Sequence, residues 1–418
     1  MGFQQGLSGL NAASKQLDVI GNNIANANTV GFKDSRAEFG DMYANSFYGV
    51  SATQAGIGVQ TLDVAQQMTQ GNITTTNNNL DIAINNNGFF IVKTGASTGG
   101  TQTGTYEYTR NGEFQVDNQG YIVNNGDRLE GWPAVNGVVT QGALGDLQLQ
   151  TSLIAPNATT KIAMGVNLDS RDTVPTTTPF SPTTPASYSW SNSTSVYDSL
   201  GNSHNLTLYY VKTAANTWTT YPYVDGTAAS VTPNGGAAGA SAPLTFTTAG
   251  ALNNTAAQPW SISFSPTTGA TAPETFSLNF SNSTQYGQNS GTNSLTNDGY
   301  AAGTVASISI DSTGVVQATY TNQQTKTIGQ IALANFTNQQ GLQPVGNNRW
   351  TQTFGSGPAQ VNAPGSGTAG TLRDSALEAS NVDLTTELVN LITAQRYYQA
   401  NAQTIKAEDT IQQTLVNL

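Results

Sequence analysis

The sequence predicts a mixed, mainly β chain with an α-helix at each end and one β-domain inserted within another. Three observations carry this. Apolar residues recur at spacings of three and four at both ends. Between them apolar and polar residues alternate at a period of two. A Thr-, Pro- and Gly-rich stretch with few charges interrupts that alternation and has strand patterns of its own.

The first helix rests on Phe3, Gly6, Leu10, Ala13, Leu17, Ile20, Ile24 and Ala27, a seam with small residues interleaved. It should stop near Asn28 or Thr29, before Gly31. Burying Leu10, Leu17, Ile20 and Ile24 yields about 1.5–3 kcal/mol each. Ordering each residue costs about 1–2 kcal/mol of backbone entropy. Helical hydrogen bonds recover only part of that, so the helix needs neighbours. An ordinary two-helix core is one solution; a seam shared between copies is the other. The thin, Asn- and Gln-rich seam favours the second, with frayed ends in the free monomer that fold on assembly.

Residues 29–70 read as a connecting arm. Phe32, Lys33, Arg36, Glu38 and Asp41 open a stretch to Tyr48 that is dense in mixed charge for this chain. It is either a solvated loop or a bridging arm with weak, exchangeable ion pairs. Strands follow at Leu80/Ile82/Ile84, Phe89 to Val92, Tyr106/Tyr108, Phe114/Val116 and Tyr121/Val123, with Asn111-Gly112 and Asn125-Gly126 as hairpin turns. With residues 283–354, residues 71–148 form a middle β-domain. Asp117 to Gly120, Asp198 to Gly201 and Asp311 to Gly314 share an Asp-x-x-Gly frame suited to a type I turn. None has the ligand density of a calcium loop.

Residues 149–282 read as the inserted β-domain, barrel- or sandwich-like, with Val174 to Pro185 as an extended linker or edge. Residues 355–380 return as a Gly/Pro/Ser-rich connector. The last helix, 381–418, carries Leu384, Leu388, Leu391, Tyr398, Ala402 and Ile405 on one stripe, continued by Ile411, Leu415 and Leu418. Ser380 to Asp383 reads as its capping box.

Composition excludes several functions. The chain has 418 residues, 14 Lys+Arg against 25 Asp+Glu, and a net charge of −11, which cannot supply a nucleic-acid footprint. Zero Cys and one His remove thiolate, iron–sulfur and ordinary zinc chemistry, so no cofactor is expected. No apolar run suits a membrane span, and the first residues lack the basic start and apolar stretch of a cleaved signal peptide. Gly365 to Gly370 matches a dinucleotide fingerprint but sits in a connector. His204 reads as a hydrogen-bonded or exposed turn residue rather than a triad base. Glu107, Glu113, Asp117, Asp127 and Glu130 read as a solvated strand face rather than a glycosidase pair.

Two terminal motifs carry a resemblance. Gly9 to Ala13, Leu17 to Asn26 and Thr29 to Lys33 resemble the N-terminal signature of the bacterial flagellar rod and hook family. Leu377 to Leu384, continuing into Ala394 to Ile405, resembles its C-terminal signature. Val196 to Asn202 and Gly329 to Phe336 are similar to the hook branch. The resemblance implies a structural, non-enzymatic subunit of an extracellular tube. Terminal helices 1–28 and 381–418 would form a coiled-coil-like inner layer around an export channel, with the middle and inserted β-domains outside it. It implies a homopolymer, with the distal rod protein, the hook cap protein, the hook–filament junction protein and the flagellar type III export apparatus as partners. The alternative class is an extracellular adhesin, with an aromatic groove and dispensable helices.

Overall fold

The computed structural model describes residues 2–42, 56–95, 97–98, 101–102, 104–149, 153–253 and 258–416. The chain divides into two compact units. One comprises Met1–Thr151, Ala306–Thr319 and Thr325–Leu418; the other comprises Ser152–Val305 and Tyr320–Gln324.

In the first unit, helix α1 (Gly2–Ala25) packs against α2 (Leu384–Val416). The close approach uses glycine. A Cβ on Gly9 would lie 2.6 Å from the Asn401 side chain, and one on Gly6 3.0 Å from Ile405. Helix α1 ends three residues earlier than expected, in turns closed by Asn26 and Thr29 amides. Helix α2 starts at Leu384, and its N-cap is Asp383, not the expected box opening at Ser380. Asp383 Oδ1 accepts from the amides of Thr385 and Thr386 (2.9 and 3.1 Å). Leu418 lies outside the described residues, and so do the arm's last positions, up to Tyr48.

The arm is a hairpin, β1 (Ser35–Met42) against β2 (Gly58–Gln66), antiparallel from Ser35↔Gln66 to Met42↔Gly58. It lies along α1, with Val59 N donating to Ser8 Oγ. The outgoing and returning chain then knit together. Ile73–Thr75 pairs with Ala376–Glu378, and Ile82–Asn85 with Thr371–Asp374.

The large sheet of this unit runs through Val315–Tyr320, Thr325–Ile331, Asp127–Val135, Phe89–Lys93, Tyr106–Thr109 and Arg349–Thr351. The run Phe89 to Val92 is apolar throughout because both its faces are covered. Phe90 and Val92 enter one core with Ile122 and Leu129, and Phe89 and Ile91 enter another with Trp132 and Trp350. Asn125-Gly126 makes the expected two-residue hairpin, both with positive φ. Asn111-Gly112 does not. Gly112 passes so close to Ile82 that a Cβ would meet its carbonyl, and Asn111 Oδ1 accepts from Glu113 N. Glu130, expected on a solvated face, is buried, because its strand is paired on both sides and it faces Asp146 across the ladder.

The second unit contains two sheets around one apolar core. One is ordered Ser230–Thr232, Trp260–Phe264, Glu274–Asn279, Lys161–Asn167, Gly291–Asn297. The other runs Trp190–Tyr197, Ser203–Ala214, Thr217–Val224, Thr227–Ala228, with Ala242–Thr245 also beside Thr217–Val224. Alternation along Ser203–Ala214 sends Leu206, Leu208 and Tyr210 inward to meet Met164, Trp218 and Trp260. The described strands form separate sheets, not one closed barrel. Gly291–Asn297 pairs with Lys161–Asn167, so residues up to 297 belong to this unit and not to the middle β-domain. The stretch Val174 to Pro185 is mostly exposed and is anchored at Phe180, which stacks on Tyr221 at 4.1 Å and contacts Tyr188, Tyr209 and Tyr223.

The three Asp-x-x-Gly frames are the same turn. Oδ1 of Asp117, Asp198 and Asp311 each accepts two backbone amides, two and four residues on, at 2.8–2.9 Å. The glycines have φ of +88°, +84° and +82°. The carboxylates cap backbone amides.

Candidate functional site: the roots and outer faces of the terminal helices

The roots of α1 and α2 are fixed by a buried polar hub. Lys33 Nζ donates to Glu378 Oε1 and to the Thr69 carbonyl, both at 2.6 Å. Arg110 Nη1 donates to Glu378 Oε2 at 3.1 Å and its guanidinium lies 5.2 Å from the Phe89 ring centre. Gly71 N completes the carboxylate's shell at 2.9 Å. All three charged side chains are at most 2% exposed. Burial pulls Lys33 and Arg110 below their usual ranges, against the attraction of Glu378. Lys33 was expected among exposed arm charges; it is instead a core residue because residues 31–34 pass directly beneath Glu378. Gly31, at φ +69°, makes that passage possible: its amide donates to the Glu378 carbonyl, and a Cβ would lie 2.7 Å from Arg110 backbone.

Two asparagines tie the helices to this hub. Asn23 exchanges hydrogen bonds with the Ser35 backbone, 2.9 Å to its Oδ1 and 2.8 Å from its Nδ2, and its Nδ2 also reaches Glu387 at 3.4 Å. Asn381 Oδ1 accepts from Asp34 N at 2.7 Å, while its Nδ2 donates to the Gln67 carbonyl at 2.8 Å. Glu378, Asn23 and Asn381 lie inside the terminal signatures, but neither their role here nor that of Arg110 was read from sequence. The one available signal was charge or amide placed inside otherwise apolar motifs.

The expected interface residues divide. Ile20 is buried between the helices and the arm, and Leu10, Leu17 and Ile24 are half-buried. On α2, Leu391 and Ile405 are half-buried, with Ile405 against Gly6. Leu384, Leu388 and Tyr398 are exposed, as are Val389, Ile392 and Tyr397. In the arm, Phe32 is half-buried, while Arg36, Glu38 and Asp41 are exposed. Helix α2 thus uses Glu387, Ala394 and Ile405 inward and presents a long apolar surface outward. No helix among the described residues is long and apolar enough to cross a membrane. Large apolar surfaces of this kind mark interaction sites.

Family models of flagellar axial proteins match along this β-rich chain and its terminal helices. They are the flagella basal body rod protein model over residues 3–33, the flagellar hook protein FlgE/F/G D1 domain over 83–166, the flagellar basal body protein FlaE D2 domain over 167–300, and the flagellar basal body rod FlgEFG protein C-terminal model over 373–418. Residues 215–295 fall within the third of these. Flagellar hook protein FlgE of Escherichia coli K12 is 44% identical over all of both chains, and that of Salmonella typhimurium 43%. The Borreliella burgdorferi protein is 32% identical over 99% of this chain and 98% of its own. The crystal structure of Helicobacter pylori flagellar hook protein FlgE2 shares the fold at a TM-score of 0.50 and 14% identity, over 73% of this chain and 100% of that one. The chain belongs to the flagellar hook protein FlgE family.

Proposed function

We propose that this chain is the repeating subunit of a flagellar hook, a curved and flexible tube built from copies of itself. The outward apolar face of α2 is the observation that carries the reading: Leu384, Leu388, Val389 and Ile392 are each close to half exposed or more in the single chain. Half-exposed apolar side chains along a helix gain about 0.7–1.5 kcal/mol each when a neighbour covers what remains exposed. The same arrangement supports Leu10, Leu17, Ile20, Ile24, Leu384, Leu388, Leu391, Tyr398 and Ile405 as the self-assembly surface, and an inner helical layer around an export channel. The exposed arm charges Arg36, Glu38 and Asp41 would make contacts weak enough to exchange as the tube bends.

In this reading the tube lies outside the cell, joins the distal rod protein to the hook–filament junction protein, grows under a hook cap protein, and transmits torque. The subunits travel through the flagellar type III export apparatus. The chain acts as a structural element and not as a catalyst.

Substituting Leu388 with Asp tests this. Leu388 is exposed, so the variant should keep the β-sheet circular dichroism and thermal transition of the parent while failing to form tubes by electron microscopy. Tubes formed at the parent concentration would overturn the assignment.

A further inference from the structure

A cleft of about 570 Å³ opens between α1, β1 and the first turns of α2. Val19, Ile20 and Phe39 form its apolar wall, and Asp34 and Glu387 both face it. Asp34 Oδ1 is fully enclosed and has no hydrogen-bond partner among the described residues. Glu387 is 9% exposed and takes one bond each from Asn23 and Asn390. Burial, and then the charge of Glu387, raise the Asp34 carboxyl above its usual range, with Arg36 opposing. Two acids therefore share one local cation, Arg36, which stands exposed at the rim. The cleft is one positive charge short.

Helix α2 carries the complement. Val389, Ile392 and Arg396 follow at spacings of three and four and lie within about 60° of one another around the helix. They stand opposite Ile405, which meets Gly6 of α1. Val389 and Ile392 are 59% and 50% exposed. Arg396 is exposed and makes no hydrogen bond or ion pair among the described residues. The other cation of α2, Lys406, sits instead beside Glu408 and Asp409. Arg396 cannot reach the cleft of its own chain. It is nine residues beyond Glu387, about 13 Å along the axis, and on the opposite side of the helix.

We propose that the Val389–Ile392–Arg396 face of one copy docks in this cleft of a second copy, with the Arg396 guanidinium between Asp34 and Glu387. The occupant is a second copy because the charge and the apolar rows match, and a planar guanidinium can serve two carboxylates at once. The donor face and the cleft are different surfaces of one chain. The contact is therefore heterologous and propagates instead of closing into a pair. It rests on the self-assembly reading above and names its contact.

The test is charge exchange in the full chain, read as the critical concentration for tube formation by sedimentation. Arg396→Glu and Asp34→Arg should each raise it at least about tenfold, as reversal of a close interfacial pair does. The two together in one chain should return it to within about threefold of the parent, since every interface then carries the swapped pair. Arg396→Glu assembling at the parent concentration overturns the proposal and leaves self-assembly standing. So does a folded double variant no better than its singles. A parent chain that forms no tubes overturns self-assembly itself, and this contact with it. If Asp34→Arg fails to fold, Asp34→Asn replaces it: combined with Arg396→Glu it should recover at least about threefold of the defect, and no recovery overturns the contact.

Discussion

The inserted β-unit and the terminal helix pair solve the same burial problem in opposite ways. In the β-unit, alternating strands send Leu206, Leu208, Tyr210, Trp218, Trp260 and Phe280 into one core, each 1% exposed or less. In the helix pair only Val19 and Ile20 among the large apolar residues are buried, the other buried positions include the small or polar Ala13, Ala394 and Asn23, and the large apolar residues Val389 and Ile392 face outward. The β-unit is complete as a single molecule; the helix pair is not. The difference teaches that one chain can hold a core closed within itself and a helix pair that leaves apolar surface uncovered.

The sharpest way to break the comparison is to damage each region at its strongest point. Glu378→Ala leaves Lys33 and Arg110 buried without their carboxylate, and should destabilise the helix roots by about 3–5 kcal/mol. Trp218→Ala should cost the inserted unit about 3–5 kcal/mol. Hydrogen exchange resolved by region should show each loss confined to its own unit. If Glu378→Ala loosened the inserted unit instead, the hub would not be what holds the helices.

A pH-dependent effect also separates the units. Glu130 is buried, and burial together with Asp146 raises its carboxyl to about 8, so it is protonated in the folded protein at neutral pH. The unfolded chain loses that proton near the ordinary value of 4.5. Between these values the folded state holds a proton that the unfolded state does not. Stability should therefore fall as pH rises from about 4.5 to about 8, then level off. Thermal melts of Glu130→Gln should lose that slope.

The smallest effect is at His204 in the inserted unit. Nδ1 lies 2.6 Å from Asp225 and Nε2 3.2 Å from Asp198. Burial acts to lower the imidazole pKa, but bonds to Asp225 and Asp198 outweigh it, and the net shift is upward from 6.5. The stabilisation is fully present below the unfolded value of about 6.5 and is lost as pH rises through the higher folded value. His204→Gln should flatten the melting temperature of this unit above pH 6.5 and leave the helix roots unaffected.

Much of the fold was legible because it is written locally. The period of the terminal stripes, the Asn125-Gly126 turn and the three Asp-x-x-Gly turns each depend on a few neighbouring residues. What was not legible depends on residues far apart. Lys33 and Glu378 are separated by 345 positions, and Arg110 and Glu378 by 268, so a charged residue in the arm could not be told from a core ion pair. Asn111-Gly112 failed as a hairpin because its glycine answers a distant backbone, Ile82, and not a local turn. Strand Gly291–Asn297 was placed in the wrong domain because its partner, Lys161–Asn167, lies far upstream.

Amide hydrogen exchange along α2, compared between dilute monomer and assembled tubes, tests the central claim most directly. Amides of residues 384–416 should exchange readily in the monomer and become strongly protected in the tube, while Ser203–Ala214 and Thr217–Val224 stay protected in both. Full protection of α2 in the dilute monomer, unchanged on assembly, would contradict it.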